Sequence, residues 1–310
     1  MRFTVSEKMD GMLIRDILEK EIKFSGAIIT FLKTRDRGIV LNGERVTVRK
    51  TVKAGDLLEL DYTDDRTMAE KSDIEPVELP LDILYEDDDL IVLNKPPFMP
   101  THPSHNHHND TLANALRFYF DSKDHPFIFR AVNRLDNATS GIVLVAKNKL
   151  SAKILSQDIV DKKISKSYLA ILSGTPDLRE GEICEPIKRE RESIIKRVVA
   201  DDGAYSLTSY KTLISSDMFS LVEASPITGR THQLRVHFAH IGHPICGDTM
   251  YGYPSHFINR QALHAYKITF NHPIHKNEMT LEAKPPMDMT ELYRLAFAES
   301  NQEVERIFKE

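Results

Sequence analysis

The chain has 310 residues, 41% hydrophobic and 28% charged, which is typical of a water-soluble protein with one large and one small domain. No apolar run approaches the roughly 20 residues of a membrane helix, and the N-terminus lacks the apolar core of a signal peptide. Cys184 and Cys246 are far apart and lack CxxC spacing, which favours a reducing compartment and argues against a structural zinc site. We therefore expect a cytoplasmic protein without a membrane anchor.

The formal net charge of −5 is unevenly distributed along the chain. Residues 1–60 hold 12 Lys and Arg against 9 Asp and Glu, whereas residues 61–90 hold 2 against 12. The acidity is concentrated in one segment, so the rest of the chain can still present a basic face to an anionic partner.

Residues 1–65 are predicted to form a small α/β domain. Apolar residues recur at helical spacing over residues 13–18 and again over residues 26–33. A short strand then runs into Asn42-Gly43, a strong hairpin signal because both residues tolerate positive φ. A Gly-Asp turn precedes another strand. Two helices, a hairpin and a strand in this order resemble an S4-type RNA-binding domain.

A cluster of basic residues lies within this small domain. The stretch 28–53 holds seven Lys and Arg residues against Asp36 and Glu44. Such a patch would contact phosphates and give an affinity that falls with salt, although basic clusters are also common on solvated surfaces. The residues that we favour for RNA binding here are Arg35, Arg37, Arg45 and Lys50.

Residues 66–80 are polar and acidic, include Pro76 and Pro80, and are expected to form a linker. The larger second domain is predicted to span residues 81–310. Its helices are expected over residues 111–120, capped by Asp110, over residues 149–160 and over residues 288–309. Near its start, the acidic run 86–89 is interpreted as a solvated turn between two strands rather than as a set of catalytic carboxylates.

Two groups of histidines raise the hypothesis of a metal site. They are residues 102, 105, 107 and 108 in one loop, and residues 232, 237, 240 and 243 around a predicted helix. The first group lacks nearby cysteines or regularly spaced carboxylates, and glycine and proline interrupt the second. We therefore expect no metal at either group.

The stretch most informative about chemistry is residues 133–147. It passes from a polar turn into the apolar, β-branched run 142–146, which predicts a strand buried on both faces. Asp136 lies in the turn at the mouth of this strand, close to Arg134. On local chemistry alone, two roles are open for its carboxylate: reaction with a substrate, or hydrogen bonding to its own turn.

The motif Arg-Leu-Asp-x-x-Thr-Ser-Gly at residues 134–141, followed by an apolar strand, resembles the catalytic motif of the RluA family of RNA pseudouridine synthases. Further segments match that family in the expected order, so that the resemblance covers roughly residues 75–290. They are residues 94–97, 166–170, 226–237, 242–252 and 263–265.

The resemblance implies an α+β fold, in which a catalytic domain with a mostly antiparallel, bent mixed sheet and peripheral helices follows the S4-like domain. It implies isomerisation of uridine to pseudouridine, which needs no cofactor because nothing is added or removed. The catalytic residues carried over are Asp136, Tyr168 and Arg235. Asp136 would react near C1′ of the ribose, Tyr168 would stack on the uracil and relay its C5 proton, and Arg235 would keep Asp136 ionised.

The resemblance also assigns RNA contacts to Arg134, Arg230 and His232. Arg134 would fill the gap that a flipped-out uridine leaves, because flipping costs a few kcal/mol of stacking. One departure concerns Asn133, where the family usually has histidine. Asparagine forms hydrogen bonds but carries no charge, so activity survives if this position acts only on the backbone.

The favoured function is a pseudouridine synthase that acts on ribosomal RNA of the large subunit, with transfer RNA as the alternative substrate. We expect a monomer whose partner is RNA. A second hypothesis, supported only by Asn133, is a non-catalytic RNA-binding protein that assists ribosome assembly. A glycosidase is disfavoured, since it would need a second carboxyl about 5–10 Å from Asp136 and the chain has no tryptophan to hold a sugar.

Overall fold

The computed structural model describes residues 1–24, 26–62, 72–297 and 302–308 of the chain. The first part of the predicted linker, residues 66–71, lies outside these residues, and residues 72–80 form neither helix nor strand. No helix among the described residues is long and apolar enough to cross a membrane.

The N-terminal region combines helices with a small antiparallel sheet, as predicted. Its elements are β1 (Arg2–Thr4), α1 (Ile14–Asp16, continued by a wider turn over Ile17–Glu21), α2 (Gly26–Thr34), β2 (Ile39–Leu41), β3 (Glu44–Arg45) and β4 (Leu57–Leu60). Within the described residues these strands form a four-stranded sheet in the order β1-β4-β2-β3. Asn42 and Gly43 have φ angles of 52° and 84°, so the predicted hairpin joins β2 to β3.

The rest of the chain is organised around one large mixed sheet. Its strands and the hairpin beside it are β5 (Ile83–Glu86), β6 (Leu90–Lys95), β7 (Ser140–Ala146), β8 (Ser165–Ser173), β9 (Glu180–Cys184), β10 (Ile187–Arg189), β11 (Arg197–Val199), β12 (Leu207–Ser215), β13 (Phe219–Pro226), β14 (Leu263–Asn271) and β15 (Glu278–Glu282). In the described residues the sheet has nine strands, ordered β5-β6-β7-β14-β8-β13-β12-β9, with β15 also on β14. Among the strand pairs of the described residues only β7–β14 is parallel, which confirms the α+β class and the mostly antiparallel mixed sheet.

Helices flank this sheet. They are α3 (Leu112–Asp121), α4 (Lys149–Val160), α5 (Gln233–His240), α6 (Met287–Ala296) and α7 (Gln302–Phe308). The predicted cap of α3 at Asp110 is wrong: Thr111 caps the helix by accepting the Asn114 N–H, and Asn114 returns the bond. The single terminal helix predicted over residues 288–309 is also wrong, because Phe297, with φ −130°, ends α6.

Strand β7 is buried along its whole length between β6 and β14, as its apolar run predicted. Gly141 allows the close approach to β14: its φ is +112°, and a Cβ there would lie 2.3 Å from the Ala265 carbonyl oxygen. The turn before β7 is closed by the Thr139 N–H, which donates to the Asp136 carbonyl at 3.0 Å. The buried strand therefore fixes the turn that carries Asp136.

The small N-terminal sheet is packed against the rest of the chain. The apolar cluster that contains its core residues also includes Leu150 of α4 and Ile274. Burial raises the pKa of the Tyr62 hydroxyl, and the negative charge of Asp89 across the same contact raises it further. The two sheets therefore share one packed boundary.

Candidate active site

Asp136 lies at the rim of the large sheet, with its side chain 28% exposed. The neighbouring Leu135 is buried, and the Thr101 hydroxyl contacts both its backbone N–H and its carbonyl, at 3.4 and 3.3 Å. The carboxylate is thus held on a rigid turn while one side remains open to a ligand.

Arg235, on α5, joins Asp136 to a second carboxylate. Its Nη1 donates to Asp136 Oδ2 at 3.2 Å, while its Nε and Nη2 donate to the two oxygens of Asp248 at 2.7 and 2.9 Å. The Asp248 side chain is fully buried. Burial opposes the charged form of Arg235, but the two carboxylates beside it outweigh burial and raise its pKa, so the guanidinium keeps its charge.

His232 and Tyr251 complete the surroundings of Asp136. His232 Nε2 lies 3.8 Å from Asp136 Oδ2, and its Nδ1 is 2.8 Å from the Tyr251 hydroxyl. Burial lowers the pKa of His232, while the charge of Asp136 opposes this shift. The imidazole is therefore neutral at physiological pH.

Tyr168 lies on β8 and is buried beside this group. Burial raises its hydroxyl pKa, and the negative charge of Asp136 raises it further. The phenol therefore stays protonated, which suits a residue that stacks on an apolar ring face or passes on a proton rather than one that acts as a phenolate base.

Two buried basic residues, Lys95 and Arg260, support the turn that carries Asp136. Neither was assigned a role from the sequence. Lys95 Nζ donates to the carbonyls of Asn137, Pro96 and Met99 at 3.1, 2.9 and 2.8 Å. Arg260 pairs through Nε and Nη2 with Asp288 at 2.6 and 2.9 Å.

The remaining nitrogen of Arg260 reaches the turn itself: Nη1 donates to the Ala138 carbonyl at 3.1 Å. Gln261 adds a bond from its amide to the Thr139 hydroxyl at 3.1 Å. The only sequence signal for Lys95 is its place in a matching Asn-Lys-Pro-Pro segment, and Arg260 and Gln261 lie just before the matching residues 263–265.

Asn133, the departure from the family pattern, acts on the backbone. Its Nδ2 donates to the Ile142 carbonyl at 2.9 Å, and its Oδ1 accepts the Leu144 N–H at 2.8 Å. Both bonds satisfy groups of β7 and need no charge. The structure therefore gives Asn133 a role that does not depend on a titrating histidine.

Two parts of the chain match known protein families. Residues 89–240 match the family described as RNA pseudouridylate synthase. Residues 1–58 match the N-terminal domain of the ribosomal pseudouridine synthase RluD. The RNA pseudouridine synthase YjbO of Bacillus subtilis (strain 168) is 37% identical over 274 residues, which cover 88% of this chain and 96% of that protein.

The chain belongs to the RNA pseudouridine synthase family. It is therefore an isomerase, and its resemblance to the RluA-type family is confirmed. Ribosomal large subunit pseudouridine synthase D of Zymomonas mobilis is 34% identical over 83% of this synthase and 86% of its own length. The synthase D of Escherichia coli O6:H1 is 32% identical over 93% and 87%.

Solved structures of the family share the fold of this synthase. Human RNA pseudouridylate synthase domain containing 1 is 27% identical, with a TM-score of 0.57 over 74% of this chain and 94% of that one. Human RNA pseudouridylate synthase domain containing 4 is 24% identical, with a TM-score of 0.56 over 74% of this chain and 95% of that one.

The structure separates the residues predicted to bind RNA into two locations. His232 faces Asp136, and Arg134 is exposed two residues before Asp136 in the chain. Arg230 is exposed and donates to the Tyr205 carbonyl at 3.1 Å. The other four belong to the N-terminal region, where Arg45 lies on β3 and the rest lie outside its helices and strands. Arg37, Arg45 and Lys50 are exposed, whereas Arg35 is half-buried on Asp61 and the Phe31 ring.

One group of donor atoms among the described residues has metal-like spacing, and it lies outside the predicted histidine groups. The donor atoms of Asp89, His272 and His275 lie within 4.8 Å of one another. However, His272 Nε2 contacts Asp87 Oδ2 at 2.8 Å, and its Nδ1 accepts backbone N–H bonds from residues 274 and 275. Both ring nitrogens of His272 are thus occupied by protein groups, which is the pattern of a structural histidine.

Proposed function

We propose that this synthase isomerises uridine in large-subunit ribosomal RNA, with Asp136 as the reacting carboxylate on a uridine flipped out of its stack. The choice of RNA is supported by the two synthase D relatives, whose names give the ribosomal large subunit and which align over more than four fifths of this chain. The N-terminal match to the RluD family supports the same choice.

One observation carries the assignment of Asp136. A partly exposed carboxylate in the turn before a rigid strand receives one arm of an arginine whose other two nitrogens are fixed on the buried Asp248. A carboxylate with only a structural role in its turn needs no such cation and would not need an open side. This arrangement holds the carboxylate in a fixed direction beside a cation, with one side open to a substrate.

The chemistry requires one bond to break and one to form at the same ribose carbon. The N1–C1′ bond breaks, the uracil turns, C5 bonds to C1′, and the C5 proton passes to N1 by way of a protein group or solvent. Asp136 would either attack C1′ as a nucleophile or take a proton from C2′. Tyr168, which is protonated and buried beside the carboxylate, would hold the uracil while it turns.

Flipping must precede this chemistry, because C1′ is shielded inside a stacked helix. Arg134 is exposed two residues before Asp136, a position from which a guanidinium can enter the gap that the uridine leaves. The exposed Arg37, Arg45 and Lys50 of the N-terminal region would contact phosphates further along the RNA and supply affinity without base specificity.

The test is tritium release from [5-³H]uridine-labelled RNA, taken from cells that lack the protein. We expect release from ribosomal RNA by the wild type and a loss of at least about 10³-fold in Asp136→Asn, with RNA affinity unchanged within a few-fold. Asp161→Asn is the matched control, because Asp161 pairs with Lys163 on the surface and does not touch the site.

The outcomes separate the parts of the proposal. Turnover retained by Asp136→Asn would remove that carboxylate from the mechanism. Release from transfer RNA alone would overturn the choice of substrate, and release from neither RNA by the wild type would favour a binding protein.

A further inference from the structure

We propose that Tyr251 is a positioning residue for Asp136, whose hydroxyl holds His232 in the tautomer that bears its proton on Nε2. This inference rests on the proposed function only for the role of Asp136. The tautomer itself is a property of the protein without substrate.

Tyr251 touches both of the nitrogen-bearing side chains that face Asp136. Its hydroxyl is 2.8 Å from His232 Nδ1, and the Arg235 guanidinium carbon lies 5.0 Å from the centre of its ring. The tyrosine is itself held by Asp248, which accepts its backbone N–H at 3.2 Å. A single side chain therefore contacts both the imidazole and the guanidinium.

The proton on the Tyr251 hydroxyl has one favourable direction. A phenol has one proton to donate and two lone pairs to accept with. The backbone N–H of Arg197, at the start of β11, donates to this oxygen at 2.8 Å. The hydroxyl proton is then free to point at His232 Nδ1.

The carboxylate selects the same arrangement from the other side. His232 Nε2 faces Asp136 Oδ2 at 3.8 Å. A lone pair on Nε2 would face negative charge, whereas an N–H there is attracted to it. A neutral imidazole has one donor and one acceptor nitrogen, so Nδ1 must accept, and the Tyr251 hydroxyl is the group that donates to it.

The backbone conformation of His232 helps to set the direction of its ring. Its φ of 58° lies in the left-handed region, which is unfavourable for a residue other than glycine. The residue precedes α5, and its side chain is only 9% exposed. Helix start, tyrosine and carboxylate together fix the direction of the imidazole.

A neutral donor beside Asp136 serves the reaction differently from a second cation. Arg235 already balances the charge of Asp136, and a further full charge would make the carboxylate a weaker nucleophile and a weaker base. An N–H dipole orients the carboxylate with a smaller effect on its reactivity. Because Arg197 belongs to the β10–β11 hairpin, the position of this hairpin also sets the direction of the phenol.

The tautomer is measured on protein labelled with ¹⁵N at its 13 histidines, by long-range ¹H–¹⁵N spectra above pH 7.5. His232→Gln assigns the signals of His232. In the wild type we expect a protonated Nε2 and an unprotonated Nδ1. Tyr251→Phe keeps the ring but removes the hydroxyl, and is expected to shift His232 toward the Nδ1–H form.

Turnover provides the second measurement. Tyr251→Phe should lower kcat roughly 10- to 100-fold with KM within about twofold, since a wrong tautomer misdirects the group it serves. His232→Gln places an N–H near the Nε2 position and should retain more activity than His232→Asn, whose amide reaches only as far as Nδ1. Tyr119→Phe, which loses a bond to Glu86 away from the site, is the control and should change neither the spectra nor kcat.

An Nδ1–H form of His232 in the wild type would overturn the proposal, and so would an unchanged tautomer in Tyr251→Phe. Equal activity of the Gln and Asn variants would also contradict it. If the wild type shows the expected tautomer but releases no tritium, the proposed function fails while the role of Tyr251 in holding His232 stands.

Discussion

Two buried arginines approach the Asp136 turn in the same way and do different things there. Arg235 and Arg260 each place Nε and Nη2 on an aspartate, Asp248 and Asp288 respectively. Each then directs Nη1 at the turn. The shared fork uses the planar guanidinium to fix direction as well as charge.

The difference lies in what Nη1 meets. From Arg235 it meets the carboxylate of Asp136 at 3.2 Å, whereas from Arg260 it meets the Ala138 carbonyl at 3.1 Å and two further carbonyls. The first contact affects the charge of the reacting group, and the second affects only the shape of the turn. Two arginines that contact the same turn therefore have different roles: Arg235 acts electrostatically and Arg260 supports the backbone. Each role can be tested separately.

The largest effect is expected from Arg235→Met. Removing the cation leaves the buried Asp248 uncompensated, which costs about 3–5 kcal/mol of the free energy of unfolding, and turnover should fall at least about 100-fold. Denaturant unfolding and tritium release measure the two losses.

The double variant Arg235→Met with Asp248→Asn separates the loss of stability from the loss of turnover. Asparagine removes the unpaired charge but keeps an oxygen for the backbone N–H groups of Met250 and Tyr251. Stability should partly recover while turnover stays low. Recovery of both would mean that Arg235 acts only through stability.

Arg260→Met should reduce stability by about 3 kcal/mol, the lower end for a broken buried pair, because Asp288 is 32% exposed and can be rehydrated. Turnover of the folded protein should fall only about 10-fold, since Asp136 keeps its own cation. If Arg260→Met lost as much turnover as Arg235→Met, measured where both variants are folded, the two arginines would not have different roles.

Lys95 is a third basic residue that contacts the turn, and its contribution to stability is expected to depend on pH. Burial lowers its pKa to about 7, with Arg260 acting in the same direction and Asp136 opposing. Between pH 7 and its ordinary value near 10.4, the unfolded chain binds more protons at this residue than the folded chain does, so its contribution to stability rises with pH.

The difference in unfolding free energy between wild type and Lys95→Met should therefore grow in favour of the wild type from pH 7 to pH 9, by at most about 1.4 kcal/mol per pH unit. Parallel stability curves for the two proteins over this range would contradict the shifted titration.

The smallest effect on stability is expected at exposed cations. Arg37→Ala with Lys50→Ala should leave the midpoint of thermal unfolding within about 1–2 °C and kcat unchanged, since surface substitutions rarely exceed 0.5 kcal/mol. If these residues contact phosphates, the slope of log affinity against log salt should become less steep by about two. An unchanged slope would show that the N-terminal patch is only a solvated surface.

Much of the fold followed from local pattern. The buried strand at residues 142–146, the Asn42-Gly43 hairpin and the helix over residues 149–160 all depend on short-range periodicity or turn chemistry, and the structure has them close to the predicted positions. Helix ends were less predictable, as Thr111 and the break at Phe297 show. A cap is decided by which side chain reaches a backbone N–H, and neighbouring residues compete for that position.

The sequence by itself determined the family, the buried strand and the identity of the candidate residues Asp136, Tyr168 and Arg235, because each lies in a contiguous motif that can be recognised along the chain. Only the tertiary structure decided how they are supported. It brought together Asp136 and Arg235, 99 residues apart, and Ala138 and Arg260, 122 residues apart. Such contacts depend on the register of β7 with β14 and on the packing of α5. No local periodicity in the sequence reveals which carbonyl or carboxylate a distant buried arginine will contact.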